Sequence, residues 1–405
     1  YYETYLRGKN GEQKFYIDNV GRISEIISST DSVAGDDLYL SIDADLQKAT
    51  YLALQNEIAA IVYSNIKSGE IPINDVYTAL IGNSVINTEH FSKAKASDTE
   101  KNVLSVFKSR QKTTLGKIKQ ELTSSPEALN TMSDEVLDEF TYIISMLKDD
   151  QVLLKNEIDT SDSVYQKWKN QKISPKEYLS YCITQHWIDI SQLNVDEKYA
   201  DSTEVYDALC KYILKNIKTD TEFSKIIYQY MITRGEISPR QLCLILFDQG
   251  VLDYDDATVN KLKNGSLSPR DFLMKKIYNI EITPAQLALE PCTGSCVVTD
   301  EKTGEILAMV SYPGYDSNKL ANGVDSEYFA SLQHDKSSPL LNYATQQKTA
   351  PGSTFKLVSA TAGLAENVIT TSDQIRCTGI YNDISNKPKC WIYPVSYTHL
   401  TLPTT

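Results

Sequence analysis

The sequence predicts a multidomain chain of mixed α and β structure. A long helical segment separates an N-terminal part and a C-terminal part that lack this continuous helical pattern. Three observations support this prediction. Residues 59–288 carry apolar residues at i, i+3 and i+4 with short polar joints, which is the period of amphipathic helices. Apolar and polar residues alternate from Cys296 to Thr299 and from Glu305 to Ser311, as in strands. The length of 405 residues is typical of two to three domains.

The helical segment repeats one local pattern at several of its joints. In each strong copy Ser or Thr precedes Pro, which predicts an N-cap followed by the first helical position, where a missing N–H costs nothing. Duplication and convergent capping both remain open as the origin of the pattern, and capping is the safer interpretation. The strong copies begin at Lys172, Glu236, Ser266 and Glu281, and a weaker relative begins at Gly69.

Composition gives little sign of chemistry in the helical segment. The net charge of −13 argues against a nucleic-acid partner, and no basic stripe is evident in the sequence to reverse that. We expect Cys182, Cys210 and Cys243 to be buried small hydrophobes, because each lies in an apolar helical pattern. His186 and Trp187 predict a packed surface pair on a helix, since no second metal ligand stands nearby.

The sequence PGSTFKLVSATAGLAE places a serine beside a lysine at a helix start. Pro351 and Gly352 break the backbone, and Ser353 opens a helical pattern that carries Lys356 three residues later. Residues at i and i+3 share a helix face, so Lys356 is placed to accept the proton of the Ser353 hydroxyl. Backbone N–H groups of the first turn favour a developing oxyanion. The pattern favours serine acyl transfer, and an ordinary N-capping serine is the alternative.

The tetrapeptide Ser-x-x-Lys carries little information alone, because the chain contains it six times. Only the copy at Ser353 follows a Pro-Gly pair and precedes an apolar helix. The other five stand in charged helical sequence, and we expect them on solvated helix faces. These five begin at Ser64, Ser92, Ser105, Ser109 and Ser145.

The sequence around Ser353 resembles the penicillin-binding proteins, and so does the start of the chain. CVVTDEKTGEILAMVSYPGYDSN, followed by SSPLLNYATQQKTAPGSTFK, is similar to the opening of their transpeptidase domain: a hairpin, an Asp-x-Asn segment, an Asn-containing lead-in and the nucleophile helix. The stretch from YYETYLRGKNGEQ to GDDLYLSIDADLQKAT is similar to the pedestal of the monofunctional class B members, with the strand and helix that begin their catalytic domain.

The resemblance implies a peptidoglycan D,D-transpeptidase with Ser353 as the acylated nucleophile and Lys356 as its general base. Burial of Lys356 would favour the neutral amine that this role requires. The implied partners are peptidoglycan stem peptides, β-lactam antibiotics, a membrane glycosyltransferase and other cell-wall-assembly proteins, with no nucleic acid. No metal or cofactor is needed. The implied location is the cell membrane, with the catalytic domain extracytoplasmic.

The resemblance also divides the chain and implies an antiparallel sheet covered by helices. We expect five segments. They are a pedestal remnant at 1–35, the start of the transpeptidase domain at 36–58, a large all-helical insertion at 59–288, the N-terminal part of the transpeptidase domain at 289–395, and a non-native tail at 396–405. The insertion is predicted to dock a partner or face the wall.

Lys302, Thr303 and Gly304 spell the K-T-G motif of the family but stand before Ser353, between the two strand patterns. They predict a hairpin turn with Gly304 at positive φ. Neither K-T-G nor the family's S-x-N motif follows Ser353. We therefore expect a piece truncated at both ends, inactive and without the family's membrane anchor, in which His399 has no catalytic role.

Four cysteines flank two turns of the C-terminal part. Cys292 and Cys296 stand close together, but Cys377 and Cys390 are separated by twelve residues, which disfavours a four-cysteine zinc site. An extracytoplasmic setting permits a Cys377–Cys390 disulfide. The disulfide and two free thiols both remain open.

Two other function classes remain open. A serine β-lactamase or β-lactam sensor shares the Ser-Lys helix but is not expected to carry the pedestal sequence or the insertion. A non-catalytic cell-wall-complex scaffold would use the pedestal and insertion only for docking. A bifunctional class A protein is disfavoured, because no glycosyltransferase sequence precedes the pedestal.

Overall fold

The structure, a computed structural model, describes residues 2–124, 127–193, 195, 201–321, 323–374 and 378–390. The chain divides into two compact units, residues 1–346 and 347–405. The helical segment and the two sheets of the described residues lie in the first unit, and the helix that follows Ser353 lies in the second.

Helices predominate among the described residues. They are α1 (Glu3–Leu6), α2 (Ala44–Ser68), α3 (Ile73–Gly82), α4 (Asp98–Thr123), α5 (Asp134–Asp149), α6 (Ser163–Lys169), α7 (Pro175–Thr184), α8 (Ser202–Ile217), α9 (Thr221–Thr233), α10 (Pro239–Asp248), α11 (Asp256–Asn264), α12 (Pro269–Tyr278), α13 (Pro284–Leu287), α14 (Ser326–His334), α15 (Tyr343–Gln346) and α16 (Phe355–Ala365). Short 3-10 helices span Thr88–Ser92, Leu129–Thr131, Ile190–Gln192, Ser317–Leu320 and Gly352–Thr354.

The strands form two antiparallel two-stranded sheets. They are β1 (Glu12–Ile17), β2 (Ile23–Thr30), β3 (Gly294–Thr299) and β4 (Ile306–Tyr312), paired as β1–β2 and β3–β4. The predicted mixed α and β class is therefore confirmed, with helices dominant and small antiparallel sheets.

The β1–β2 hairpin is held by its own turn. The Asp18 carboxylate accepts the N–H groups of Val20 and Arg22, both at 2.9 Å, and Gly21 adopts a φ of 81° that favours glycine. Every side chain of both strands is exposed. The hairpin therefore depends on its backbone ladder and turn, not on buried side chains.

The strand expected just before α2 is not formed, so that prediction is wrong. Residues 36–42 have no regular secondary structure, and Leu38, Tyr39 and Leu40 are exposed. Close to β4 the segment makes only isolated contacts: Ser41 Oγ donates to the carbonyl of Ile306 at 2.8 Å, and the Asp43 N–H donates to that of Leu307 at 2.9 Å. A strand needs a continuous ladder of backbone bonds, which these contacts do not supply.

Helix α2 crosses the predicted boundary at residue 58. Its N-terminal part packs on the β3–β4 hairpin, where a Cβ at Gly294 would lie only 3.1 Å from Ile58 and 3.3 Å from Leu54. Its C-terminal half contributes Val62 and Ile66 to the core of the helical segment. One continuous helix thus serves both regions, and the boundary does not coincide with the end of an element.

The predicted helix starts at Ser/Thr-Pro pairs are confirmed. At each strong copy the hydroxyl of the N-cap residue accepts the backbone N–H three residues later, and Pro occupies the first helical position. These N-caps are Ser174, Ser238, Ser268 and Thr283. The weaker copy begins α3 after Pro72 without a side-chain cap.

A common helix end precedes several of these starts. A residue at positive φ is followed two positions later by an aliphatic residue whose N–H donates to the carbonyl six residues earlier, and this bond closes the end of the helix. The same end occurs where no Ser/Thr-Pro pair follows, so this turn geometry is not tied to that pair. The aliphatic residues are Ile71, Ile86, Leu153, Ile237, Leu252, Leu267, Ile282 and Ile369.

The core of the helical segment is continuous from α2 to α13. The Phe107 and Tyr228 rings stack with centroids 4.2 Å apart, and the Trp168 and Tyr178 rings with centroids 4.4 Å apart. Such pairs add to the burial free energy by about 0.5–1.5 kcal/mol each. Trp187 is buried, whereas its neighbour His186 is exposed, so the two do not pack as a surface pair.

The three cysteines of the helical segment are buried, as predicted. Burial raises the thiol pKa to about 12 for Cys182, about 11 for Cys210 and about 12 for Cys243. Because the thiolate is the reactive form, these cysteines are inert packing residues at neutral pH.

A buried charge cluster joins α4, α5 and the end of α9. The Glu135 carboxylate accepts two hydrogen bonds of 2.8 Å from Arg110 and lies 2.5 Å from the guanidinium of Arg234. Glu139, one turn further along α5, is also buried, and its Oε1 has no hydrogen-bond partner among the described residues. Burial, followed by the nearby Glu135 charge, raises the pKa of Glu139 to about 8.

This pKa predicts that stability falls as pH rises through neutrality. Between about pH 4.5 and pH 8 the folded protein keeps the Glu139 proton while the unfolded chain releases it, so the free energy of unfolding decreases with pH. We expect Glu139→Gln to remove this decrease. At pH 8 its free energy of unfolding should exceed that of the wild type by about 2 kcal/mol. Urea unfolding from pH 5 to pH 8 measures this free energy, and the substitution Glu127→Gln at an exposed residue is the control. Parallel pH profiles for wild type and Glu139→Gln would contradict the prediction.

Within the described ranges, none of the helices combines the length and apolar character needed to cross a bilayer.

Candidate functional site

The segment around Ser353 begins the helix of the second unit. Gly352 has a φ of 58° and opens the 3-10 turn Gly352–Thr354, which leads directly into α16. Ser353 therefore lies in the tight turn at the helix start, and Lys356 is the second residue of α16. This placement agrees with the predicted helix start.

The structure does not support the N-capping alternative for Ser353. The residues at the cap positions of the 3-10 turn and of α16 are Pro351 and Thr354, and neither helix start has a side-chain cap. Ser353 and Lys356 are both exposed. Among the described residues, no hydrogen bond or ion pair engages either side chain.

Helix α16 leaves its apolar side chains open to solvent. Leu357 is 77% exposed, Val358 54% and Phe355 51%. Lys356 is exposed on the same helix, and its expected burial in the working enzyme stays a prediction.

The other five copies of Ser-x-x-Lys differ from Ser353 as predicted. All five serines are exposed, and four of them lie inside α2, α4 or α5. The fifth, Ser92, ends a 3-10 helix and donates to the carbonyl of Glu89 at 2.9 Å. None of them follows a backbone break that opens an apolar helix.

The Lys302-Thr303-Gly304 tripeptide forms the β3–β4 turn, which confirms that prediction. The Asp300 carboxylate accepts the N–H groups of Lys302 and Thr303, both at 2.8 Å, and Gly304 has a φ of 76°. These backbone hydrogen bonds stabilise the carboxylate and lower the pKa of Asp300. The three residues therefore form a tight turn between β3 and β4.

A glutamine on α2 fixes the helix to the edge of β4. Gln47 donates from Nε2 to the carbonyl of Met309 and accepts the Met309 N–H at Oε1, both at 2.7 Å. One turn along α2, the Tyr51 ring lies 5.6 Å from that of Tyr312. The Gln47 amide thus forms hydrogen bonds with backbone N–H and C=O groups of β4 on the side where that strand has no neighbouring strand among the described residues.

A groove of about 440 Å³ opens beside this contact, where the Asp-x-Asn segment leaves β4. Asp316 donates its N–H to the Tyr328 hydroxyl at 2.8 Å, and its carboxylate caps the following 3-10 helix at Asn318. Lys319 stands 4.5 Å from the centroid of the Tyr328 ring. No sequence signal marks Gln47, Tyr51 or Tyr328 as groove residues, because only folding brings α2 and α14 to this loop.

The Asn-containing lead-in is anchored to β4 in the same unit. The Ser311 hydroxyl donates to Asn342 Oδ1 at 3.2 Å and accepts the Ala344 N–H at 3.3 Å. The Tyr343 hydroxyl donates to the carbonyl of Ser337 at 2.7 Å. These contacts fix the chain just before the second unit begins.

Three of the four C-terminal cysteines, Cys292, Cys296 and Cys390, lie among the described residues. Cys292 is buried, which raises its pKa to about 11, and Cys296 is half-buried. Cys377 lies outside the described residues, so the Cys377–Cys390 disulfide and two free thiols both stay open. The expected absence of a four-cysteine zinc site and of a role for His399 stay predictions. In the described ranges, no three His, Cys, Asp or Glu side chains come together in an arrangement that could hold a metal ion.

Comparison with known proteins finds similarity to one family over the C-terminal part of the chain. Residues 294–399 match the family described as the penicillin binding protein transpeptidase domain. The chain is 46% identical over 77 residues to the peptidoglycan D,D-transpeptidase PbpA of Mycolicibacterium smegmatis, covering 18% of this chain and 16% of that protein. It is 45% identical over 74 residues to the peptidoglycan D,D-transpeptidase MrdA of Escherichia coli K12, covering 18% and 12%. With MrdA of Haemophilus influenzae, identity is 40% over 103 residues, covering 25% and 14%.

Residues 294–399 of this chain are therefore similar to the transpeptidase domain of the penicillin-binding proteins. The curated relatives that the chain matches are of the PbpA and MrdA type, the class B D,D-transpeptidases. The matches span less than a fifth of the length of these relatives. No solved structure matches the chain significantly.

Proposed function

We propose that the protein to which this chain belongs is a peptidoglycan D,D-transpeptidase that works through an acyl-serine intermediate at Ser353. The observation that carries the proposal is the transpeptidase match over residues 294–399, within which Ser353 occupies the turn that opens an apolar helix. Lys356 follows on that helix at the i+3 spacing of a serine and its base.

The proposed reaction has two acyl transfers. Lys356 accepts the Ser353 proton as Oγ attacks the carbonyl between the terminal D-alanines of a stem peptide. Backbone N–H groups at the uncapped start of α16 are suited to stabilise the oxyanion. The C–N bond breaks and D-alanine leaves with a proton. An amino group of a neighbouring stem peptide then attacks the acyl-serine, which forms the cross-link and returns the proton to Ser353.

β-Lactams fit the same scheme as mimics of the donor peptide. Ser353 opens the lactam ring, and the acyl-serine persists because no leaving group departs to admit an acceptor amine. Lys356 must be neutral to act as the base, so we propose that a packed environment covers α16 in the working enzyme.

We propose the finer organisation on the family resemblance. Residues 1–35 form pedestal sequence, 36–58 and 289–395 belong to the transpeptidase domain, and 59–288 form a helical insertion. The continuous core of that helical segment supports the last assignment. By analogy, the enzyme acts at the outer side of the cell membrane with a glycosyltransferase and other cell-wall-assembly proteins.

The test is the site of acylation. In a polypeptide that continues through the S-x-N and K-T-G motifs, we expect penicillin to leave one acyl adduct on the peptide that contains Ser353. Peptide mass spectrometry distinguishes it from the peptides of the five other Ser-x-x-Lys copies. An adduct on another serine would refute the assignment, and rapid hydrolytic turnover of penicillin would favour a β-lactamase instead.

A further inference from the structure

Helix α4 carries a row of lysines that the family resemblance does not explain. From Lys101 to Gln120 the sequence contains six basic residues and no Asp or Glu. Lys101, Lys108, Lys112 and Lys119 follow at i, i+7, i+11 and i+18, which places them along one line of a helix. All four are exposed, whereas Val103 and the other core residues of α4 lie on another face.

The expectation that the chain has no basic stripe is wrong for α4. The chain has a net charge of −13, and its lysines look evenly spread until the helical period is applied to α4. In the described part of the protein, none of these four amines lies within ion-pair distance of a carboxylate; the pairs found there involve other cations.

Helix α8 extends the charged surface. It runs antiparallel to α4, because the Tyr206 hydroxyl donates to the carbonyl of Leu122 at 2.7 Å while Gln111 Nε2 donates to that of Lys218 at 3.0 Å. On α8 and at its C-cap, three further exposed lysines stand at i, i+4 and i+7, after Asp207. They are Lys211, Lys215 and Lys218.

The residues beside the lysines of α4 are exposed, small or uncharged. They are Ser105, Ser109, Thr113, Gly116 and Gln120. In the described part of residues 62–253, no large apolar side chain is exposed. An interfacial membrane helix inserts such side chains into the bilayer, so this surface is suited to contact in water.

The use of lysine and the length of α4 restrict the class of partner further. The row uses Lys, a hydrated point charge, and Arg110 of the same helix is bound inside the protein by Glu135. No aromatic side chain on the exposed face of α4 offers a base-stacking surface. A helix of 26 residues is roughly 39 Å long, so its row of amines matches an extended chain of charges better than a compact ligand.

We propose that the lysine face, defined as Lys101, Lys108, Lys112 and Lys119 of α4 with Lys211, Lys215 and Lys218 of α8, binds a linear polyanion with phosphodiesters along a flexible polyol backbone. Charge complementarity supplies the affinity through counterion release, as for other phosphodiester polymers. The lysine face lies wholly in the first unit and uses no residue of the Ser353 segment, so this proposal does not depend on the proposed acyl transfer.

The experiment uses the 405-residue protein and synthetic poly(glycerol phosphate) in a binding titration at two salt concentrations. Lys108→Glu with Lys112→Glu is the test variant. Lys261→Glu with Lys263→Glu is the matched control, because these exposed lysines of α11 undergo the same change of net charge. We expect the test variant to bind at least about tenfold more weakly than the control and with a shallower salt dependence.

Folding is checked by circular dichroism, and the milder pair Lys108→Gln with Lys112→Gln should show a smaller loss in the same direction. The proposal is overturned if the wild type does not bind the polymer, or if test and control variants lose affinity equally. It is also overturned if vesicles of phosphatidylglycerol or double-stranded DNA bind more tightly than the polymer at equal phosphate concentration.

Discussion

Ser353→Ala is expected to abolish covalent labelling by a fluorescent penicillin in a polypeptide that continues through the S-x-N and K-T-G motifs. The variant lacks the oxygen that forms the acyl bond, so no slow route remains. Lys356→Ala keeps the nucleophile but loses the proton acceptor, and we expect acylation to slow by about 100- to 10,000-fold. Labelling rates followed by gel fluorescence and intact mass measure both effects.

The chain offers a matched control for this experiment. Ser105 and Lys108 form another exposed Ser-x-x-Lys pair on α4, so Ser105→Ala and Lys108→Ala make the same changes at residues that have no part in the proposed chemistry. Both are expected to label at the wild-type rate. Labelling that survives Ser353→Ala, or that falls equally in Ser105→Ala, would contradict the assignment of the nucleophile.

Arg110→Ala is expected to destabilise the helical segment by about 3–5 kcal/mol. It removes two hydrogen bonds of 2.8 Å from Glu135, which is buried, and leaves that carboxylate beside Glu139 with Arg234 as its remaining cation. A buried charge without its partner costs far more than a surface ion pair contributes. Urea unfolding at neutral pH, followed by the helical circular dichroism signal, measures the loss.

The control is Arg240→Ala at the start of α10, where the arginine is exposed. We expect its effect to stay within about 0.5 kcal/mol. Adding Glu135→Leu to Arg110→Ala should recover part of the lost stability, because the unpaired carboxylate is then gone. Equal effects of Arg110→Ala and Arg240→Ala would show that the cluster does not stabilise the fold.

Local features of this protein follow directly from its sequence. Ser-Pro and Thr-Pro pairs begin helices at Ser174, Ser238, Ser268 and Thr283, since an N-cap and its proline act on neighbouring backbone groups. The alternation on both sides of Gly304 predicts the β3–β4 hairpin for the same reason. The candidate nucleophile was also found locally, because a backbone break and an apolar helix distinguish it from five other copies of the same tetrapeptide.

Features that join distant segments were not predictable in this way. The strand expected before α2 was wrong because strand formation depends on a partner, and β4 offers that segment only isolated contacts. Gln47 shows no signal in the sequence, yet folding brings its amide to the backbone of Met309, 262 residues away.

The sequence by itself determined the similarity of the C-terminal part to transpeptidase domains and the helical character of the described part of residues 59–288, because both are expressed in short-range patterns. Only the tertiary structure decided which charges are buried and which lysines form one surface. Burial and electrostatic environment are set by the elements that pack around a residue, and the spacing of neighbours along the chain does not specify those elements.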